Sequence, residues 1–166
     1  MAGDVTGSAE RVHQLDVPRS VLALSTLTRI DYADAFLVEL GPVHHTAEQC
    51  ARETLEGAAP VIRAQLLSGW KSIGLKIGTG SSERSMLGWN VRQSTPELIL
   101  LGAESRIGMP GELLFLREGD TLLFATFVCQ SNLLARAVWA MIEPAHVRMV
   151  RQILDQAGRR LWPETN

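Results

Sequence analysis

Two cysteines and one tyrosine are all that a chain of 166 residues carries of those types, and it has no long apolar run and no basic block. Each scarcity argues against a class of function. Cys50 and Cys129 stand far apart, with no CxxC and no His/Cys cluster nearby, which speaks against a disulfide framework or a thiolate metal site. They are expected as reduced, partly buried thiols, one on a helix and one on a strand. No stretch approaches the ~18 apolar residues of a membrane helix, and the opening MAGDVTGSAERV lacks an apolar signal core. The expectation is a cytoplasmic protein without membrane insertion. A formal net charge of −2 without a basic run leaves no nucleic-acid footprint. Arg151, Arg159 and Arg160 in RQILDQAGRR are interspersed with acids and amides and read as a solvated helix face. Phosphate loops, HExxH and GxSxG are missing, and no cofactor is implied. IGTGSSERS (77–85) is rich in Gly and Ser but has neither the lysine nor the strand-to-helix context of a phosphate cradle, so it reads as a strand connection.

With 46% hydrophobic and 20% charged residues, the chain has the composition of a globular domain. One domain is expected over 18–166, preceded by a flexible arm over 1–17. DYADAFLVEL (31–40) reads as a first strand. Thr46 and Gln49 have capping-box spacing, so a helix is expected over AEQCARETLE as far as Gly57. Pro60 suits a first helical turn, and a second helix is expected from there to Gly74. Strands follow at 86–94, 97–105, 111–118 and 121–130. Gly119 supplies the positive φ of a type II′ turn between the last two, so this half is an antiparallel meander. The 121–130 strand is apolar on both faces (Leu122, Phe124, Val128 against Leu123, Ala125, Phe127), as a covered central strand would be.

The cover is expected to be a helix capped by Ser131 or Asn132 and running to about Leu161. At 100° per residue Val138, Met141, Ile142, Ala145, Met149 and Ile153 form its apolar stripe, bordered by Trp139, His146, Val150 and Ala157. Pro144 removes one N–H and crowds the carbonyl of Ala140, so a kink or restart is expected there.

That order of elements, with the words AESRIGMPGEL, TFVCQSN and AVWAMIEPAHV, resembles the SRPBCC or START-like superfamily over roughly residues 30–157. Within it the chain looks most like a small bacterial domain-of-unknown-function family. The resemblance implies an α+β helix-grip fold: a curved antiparallel sheet, here of about five or six strands, with two short helices and a long C-terminal helix over a cavity. Superfamily members bind lipids, hormones or polyketide intermediates, and some are cyclases or dehydratases.

Several residues are candidates for such a cavity. His146, two residues after Pro144, is either a half-buried structural histidine or an acid/base. Glu143 sits close enough in sequence to orient it or lie at the rim. Glu104 shares a strand face with Leu98 and Leu100, and if it points inward it needs a partner such as Arg106, His146 or a ligand cation. Trp70, Trp89 and Trp139 are core anchors or cavity walls. Leu98, Leu100, Phe115, Phe124, Phe127, Trp139, Ile142 and Met149 are expected to supply apolar wall, with Glu104, Arg106 and His146 as orienting polar groups. His44 and His45 are placed to close the mouth, but two histidines without a third ligand do not make a zinc site. The leading reading is a binder of a small hydrophobic or amphipathic molecule. A cyclase, dehydratase or isomerase using His146 or Glu104 is the alternative. A protein-interaction module, such as a homodimer formed through an exposed strand edge, is the third.

Overall fold

The computed structural model describes residues 11–42, 44–79 and 81–163. Its central strands are largely apolar on both faces, and the sheet is covered on both. In chain order the elements are β1 (Val12–Leu15), α1 (Arg19–Leu22), β2 (Tyr32–Glu39), α2 (Ala47–Leu55), α3 (Pro60–Ser72), β3 (Ser85–Met86), β4 (Trp89–Ser94), β5 (Leu98–Ala103), β6 (Gly111–Glu118), β7 (Thr121–Val128) and α4 (Leu133–Leu161). The strands form one curved antiparallel sheet in the order β1-β2-β7-β6-β5-β4-β3. The architecture is α+β with a long C-terminal helix, and the sheet has seven strands rather than five or six.

Two features account for the difference in strand count. Inside the stretch expected as an arm, Val12–Leu15 pair with β2, Val12 opposite Val38 and Leu15 opposite Ala35. The rest of that arm, residues 1–10, lies outside the described residues. The strand expected over 86–94 is broken by a two-residue turn at Leu87-Gly88, both at positive φ (47° and 88°), which separates β3 from β4. A Cβ on Gly88 would lie 2.0 Å from the Ile77 side chain, so this turn needs glycine for space as well as for φ.

The inner face of the sheet carries Phe36, Phe124 and Phe115 side by side across β2, β7 and β6. The Phe115 and Phe124 rings meet edge-on at 5.1 Å, an arrangement that adds about 0.5–1.5 kcal/mol to their burial. This face packs against α2, α3 and α4. The outer face, with Leu98, Leu100, Leu114, Leu123, Ala125 and Phe127, is covered by Val17, Val21, Leu22, Leu24, Leu27 and Ile30. The last helix is thus one of two covers, and the segment around α1 is the second.

A buried carboxylate fastens that second cover. Glu112 on β6 is fully buried and accepts hydrogen bonds from the Ser25 hydroxyl, the Thr26 N–H (3.1 Å) and the Thr26 hydroxyl (2.5 Å). Arg92 on β4 reaches across β5 to donate to it at 3.0 Å. The reach depends on Gly102, where a Cβ would lie 2.0 Å from the Arg92 Nε.

Asn132 caps α4, its side chain accepting from the Ala135 N–H at 2.8 Å. Thr46 and Gln49 form the expected reciprocal box on α2. α4 runs unbroken through Pro144, without a restart. Both Pro144 and Ala140 are exposed, so the carbonyl that the proline frees lies on the water side. The buried stripe is rotated from the expected one: Ala135, Trp139, Val150, Ile153, Leu154, Ala157, Gly158 and Leu161 are buried, and Met141 is 83% exposed. Residues expected to border the stripe are thus its centre. Burial is concentrated in the last twelve residues. There Ala157 and Gly158 let the helix approach β2 so closely that a Cβ on Gly158 would lie 3.1 Å from Val38. Arg11 ties the same end down by donating to the carbonyls of Gly158 (3.0 Å) and Trp162 (2.8 Å). Among the described residues no helix is long and apolar enough to cross a membrane.

Removing one partner of a buried ion pair leaves an uncompensated charge, so Arg92→Ala is expected to cost about 3 kcal/mol in urea unfolding. Gly102→Ala should displace the same guanidinium. The double variant should therefore lose much less than the sum of the two. Full additivity would mean that Gly102 does not act through Arg92.

Candidate ligand-binding site

At its N-terminal half α4 stands off the sheet, and a half-open cavity of about 270 Å³ lies between them. That volume is near the lower end of the ~300–1,000 Å³ typical of small-molecule pockets. Strand alternation sets the floor: Trp89, Gly111, Leu113, Phe124, Thr126 and Val128 all point to the inner face. Helical periodicity sets the roof, with Trp139, Ile142, His146, Met149, Val150 and Ile153 recurring at three- and four-residue steps. Leu66, Trp70 and Ile73 close one side from α3, and Trp70 meets Trp89 edge-on at 5.4 Å. The exposed lining residues, Gln65, Gly69 and Ser72 on α3 and Ala145 on α4, mark the mouth between the two helices.

The polar groups of the site gather at the β2–β7 edge of the floor. His146 Nε2 lies 2.9 Å from Asp34 Oδ2, and the Tyr32 hydroxyl donates to the same oxygen at 2.7 Å. Tyr32, Asp34, Phe36 and Val38 alternate on β2, which aims all four at α4. With the carboxylate accepting, Nε2 carries a proton, and in the neutral ring Nδ1 is then the atom with the lone pair. Trp139 packs against both rings, 4.7 Å from Tyr32 and 5.0 Å from His146, which themselves meet edge-on at 6.2 Å. Asp34 is 3% exposed. Its second oxygen, Oδ1, has no hydrogen-bond partner among the described residues, nor has the hydroxyl of Thr126, the residue directly opposite on β7. The indole N–H groups of Trp89 and Trp139 are likewise buried, with no acceptor among the described residues. Each such group costs about 1–3 kcal/mol unless water or a ligand satisfies it. Three of the four residues line the cavity, and the fourth is bonded to His146, which also does. The result is an apolar chamber with a small number of polar groups to offer.

Of the residues expected to build the site, Trp70, Trp89, Phe124, Trp139, Ile142, His146 and Met149 line the cavity together. Phe115 is on the inner face but beneath other side chains, away from the lining. Leu98, Leu100 and Phe127 belong to the outer face. The shared-face reading of Leu98, Leu100 and Glu104 assumed that an apolar strand face must be the cavity face, and here both faces are apolar. Glu104 lies just past β5 with its side chain 69% exposed and pairs with Arg92 at 3.2 Å, not with Arg106 or His146. Arg106 is exposed and lies in a different depression. Glu143 forms no hydrogen bond to His146; the acid that holds the ring is Asp34. His44 is exposed and neither it nor His45 reaches the mouth. Asp34, Tyr32 and Thr126 escaped sequence reasoning. The signal was an aspartate in the middle of an apolar strand, a position from which that residue is usually depleted.

Cys50 is fully buried on α2, and burial pushes its thiol up to about 11, so it is a poor nucleophile at neutral pH. Among the described residues no group of three His, Cys, Asp or Glu side chains is placed to hold a metal.

Burial first, and then the carboxylate of Asp34, raise the Tyr32 phenol well above its ordinary value of 10.0, and Glu143 adds to the effect. Folding therefore favours the protonated phenol. The stabilisation is complete below pH 10 and is lost as the pH rises beyond the value at which the unfolded chain ionises. Tyr32 is the only tyrosine, so tyrosinate absorbance reads it alone. The signal should stay silent through pH 10 and appear together with alkaline unfolding. An ordinary titration near pH 10 in folded protein would contradict the Tyr32–Asp34 contact.

No family model matches the chain, and neither does any curated protein. Among solved structures, the crystal structure of CalU16 from Micromonospora echinospora is 11% identical, over 78% of this chain and 86% of that one, with a TM-score of 0.33.

Proposed function

We propose that the protein binds a small hydrophobic or amphipathic molecule between the sheet and α4, in the manner of a helix-grip protein of the SRPBCC or START-like kind. The observation that carries this reading is the cavity itself. Its floor and roof are mainly hydrocarbon and indole, its mouth opens to solvent between α3 and α4, and most of its few polar groups lie toward the β2–β7 side, with the Trp89 N–H apart on β4. A site of that composition takes an apolar body by burial and orients it through one or two hydrogen bonds. Medium-chain alcohols such as 1-decanol should quench or shift the fluorescence of Trp70, Trp89 and Trp139 saturably. Met149→Trp, which fills the mouth side of the roof, should weaken that binding by about tenfold or more while leaving thermal unfolding within a few degrees of wild type. Binding unchanged in this variant would place the ligand elsewhere and overturn the proposal.

A second reading is favoured by the contact between His146 and Asp34. A histidine held by a carboxylate through Nε2, with Nδ1 left as a proton acceptor, is a competent general base for enolisation, dehydration or ring closure of a bound carbonyl compound. Asp34 is then a positioning residue and Tyr32 a second donor to it. On a substrate identified by native mass spectrometry of co-purifying molecules, His146→Gln should lower kcat by about 10²-fold or more with little change in KM. Full turnover in that variant would remove the catalytic role.

A further inference from the structure

The segment Gly74–Gly78 pairs with the exit of β5. Leu75 lies opposite Ser105, the Lys76 N–H donates to the Glu104 carbonyl at 2.8 Å, and the Arg106 N–H donates to the Gly74 carbonyl at 2.7 Å. This short ladder brings Lys76 and Arg106 to one depression, and Lys71 joins them from the last turn of α3. Leu75 is buried and forms part of the wall of both this depression and the apolar cavity. Three cations so arranged repel one another, yet none of the three side chains meets a carboxylate among the described residues. Acids are available: Asp and Glu outnumber Lys and Arg by 18 to 16 in the chain. Asp31, Glu48, Glu53, Glu56, Glu104, Glu112 and Asp155 pair with Arg29, Arg52, Arg92, Arg159 and Arg160, and among the described residues none of the other acids forms an ion pair with the three cations. Glu104, whose backbone is bonded to Lys76, turns its side chain to Arg92 instead.

We infer that Lys71, Lys76 and Arg106 bind an oxyanion head group, a carboxylate or a phosphate ester, of the same molecule whose apolar body occupies the cavity. The inference rests on the proposed binding function and narrows it from a hydrophobic ligand to an anionic amphiphile. A guanidinium and two ammonium groups match such a head by charge and by donor number. Ser72 lines the cavity, its chain neighbour Lys71 lines the depression, and Leu75 lines both, which sets the cations beside the cavity. Arg106 thus keeps an orienting role outside the apolar chamber rather than within it.

The test compares ligands that share a chain and differ in head, 1-decanol and decanoate, by isothermal titration with wild type and with the triple variant Lys71→Gln, Lys76→Gln, Arg106→Gln. Wild type should bind decanoate about tenfold more tightly than decanol at low ionic strength, and added salt should shrink that preference. The triple variant should lose the preference and keep its affinity for decanol. Inorganic phosphate should weaken decanoate binding and leave decanol binding untouched. Decyl phosphate in place of decanoate separates the two head groups, and tighter binding of either supports the site. Equal affinity for decanol and decanoate in wild type, or a preference that survives in the triple variant, overturns this inference and leaves the cavity reading standing. Phosphate that binds without affecting decanoate also overturns it. If neither decanol nor decanoate binds, both the inference and the reading beneath it fall.

Discussion

α4 cannot lie flat on the sheet, and the geometry of the site follows from that constraint. At one end Ala157 and Gly158 bring the helix backbone against Val38, and Arg11 ties the helix terminus to the start of β1. About two to five turns earlier, Val150, Met149, His146, Ile142 and Trp139 stand between helix and strands, and they are too large to allow the same approach. The helix is therefore a lever, closed where its residues are small and held away where they are large. The hydrogen bond from His146 to Asp34 crosses the gap near the middle and fixes its width. Without that contact an isolated aspartate in an apolar strand would be hard to explain, since a buried carboxylate needs donors.

Apart from the Trp89 N–H on β4, the polar groups of the cavity gather where the helix stands off the sheet. Tyr32, Asp34 and Thr126 occupy neighbouring inner-face positions on β2 and β7 and are answered by Trp139 and His146, two turns apart on α4. Everything else on the floor is hydrocarbon or aromatic. The buried ion pair of Glu112 with Arg92 is on the other side of the sheet and has a different task. It fastens the segment around α1 over the outer face, which leaves the inner face free of any part in holding that cover. Structural polarity outside and site polarity inside are separated by one strand thickness.

Much of the framework was legible in the sequence, because it rests on local rules. The Thr46–Gln49 box, Pro60 at the start of α3, the turn at Gly119 and the cap at Asn132 each place an element by short-range chemistry. What was not legible depends on which face is which. Period-two alternation told that Leu98, Leu100 and Glu104 share a face, but two apolar faces made the choice between them undetermined, and the choice of cavity face failed for Leu98, Leu100 and Phe127. On α4 a rotation of about one position moved Met141 from the expected stripe to solvent and brought Trp139 and His146 to its centre. The partnership of His146 with Asp34 spans more than a hundred residues, and no local spacing carries it. Trp70, Trp89 and Trp139 were found because large amphipathic rings serve equally as core and as cavity wall.

The most direct test of the lever is a crystal structure of the protein under xenon pressure, since xenon enters apolar voids without needing a matched head group. Density for xenon among Leu113, Phe124, Trp139 and Met149, with α4 standing off β7 and touching β2 at Gly158, is the result this account predicts. A helix packed against the sheet along its whole length, with no xenon between them, would contradict it.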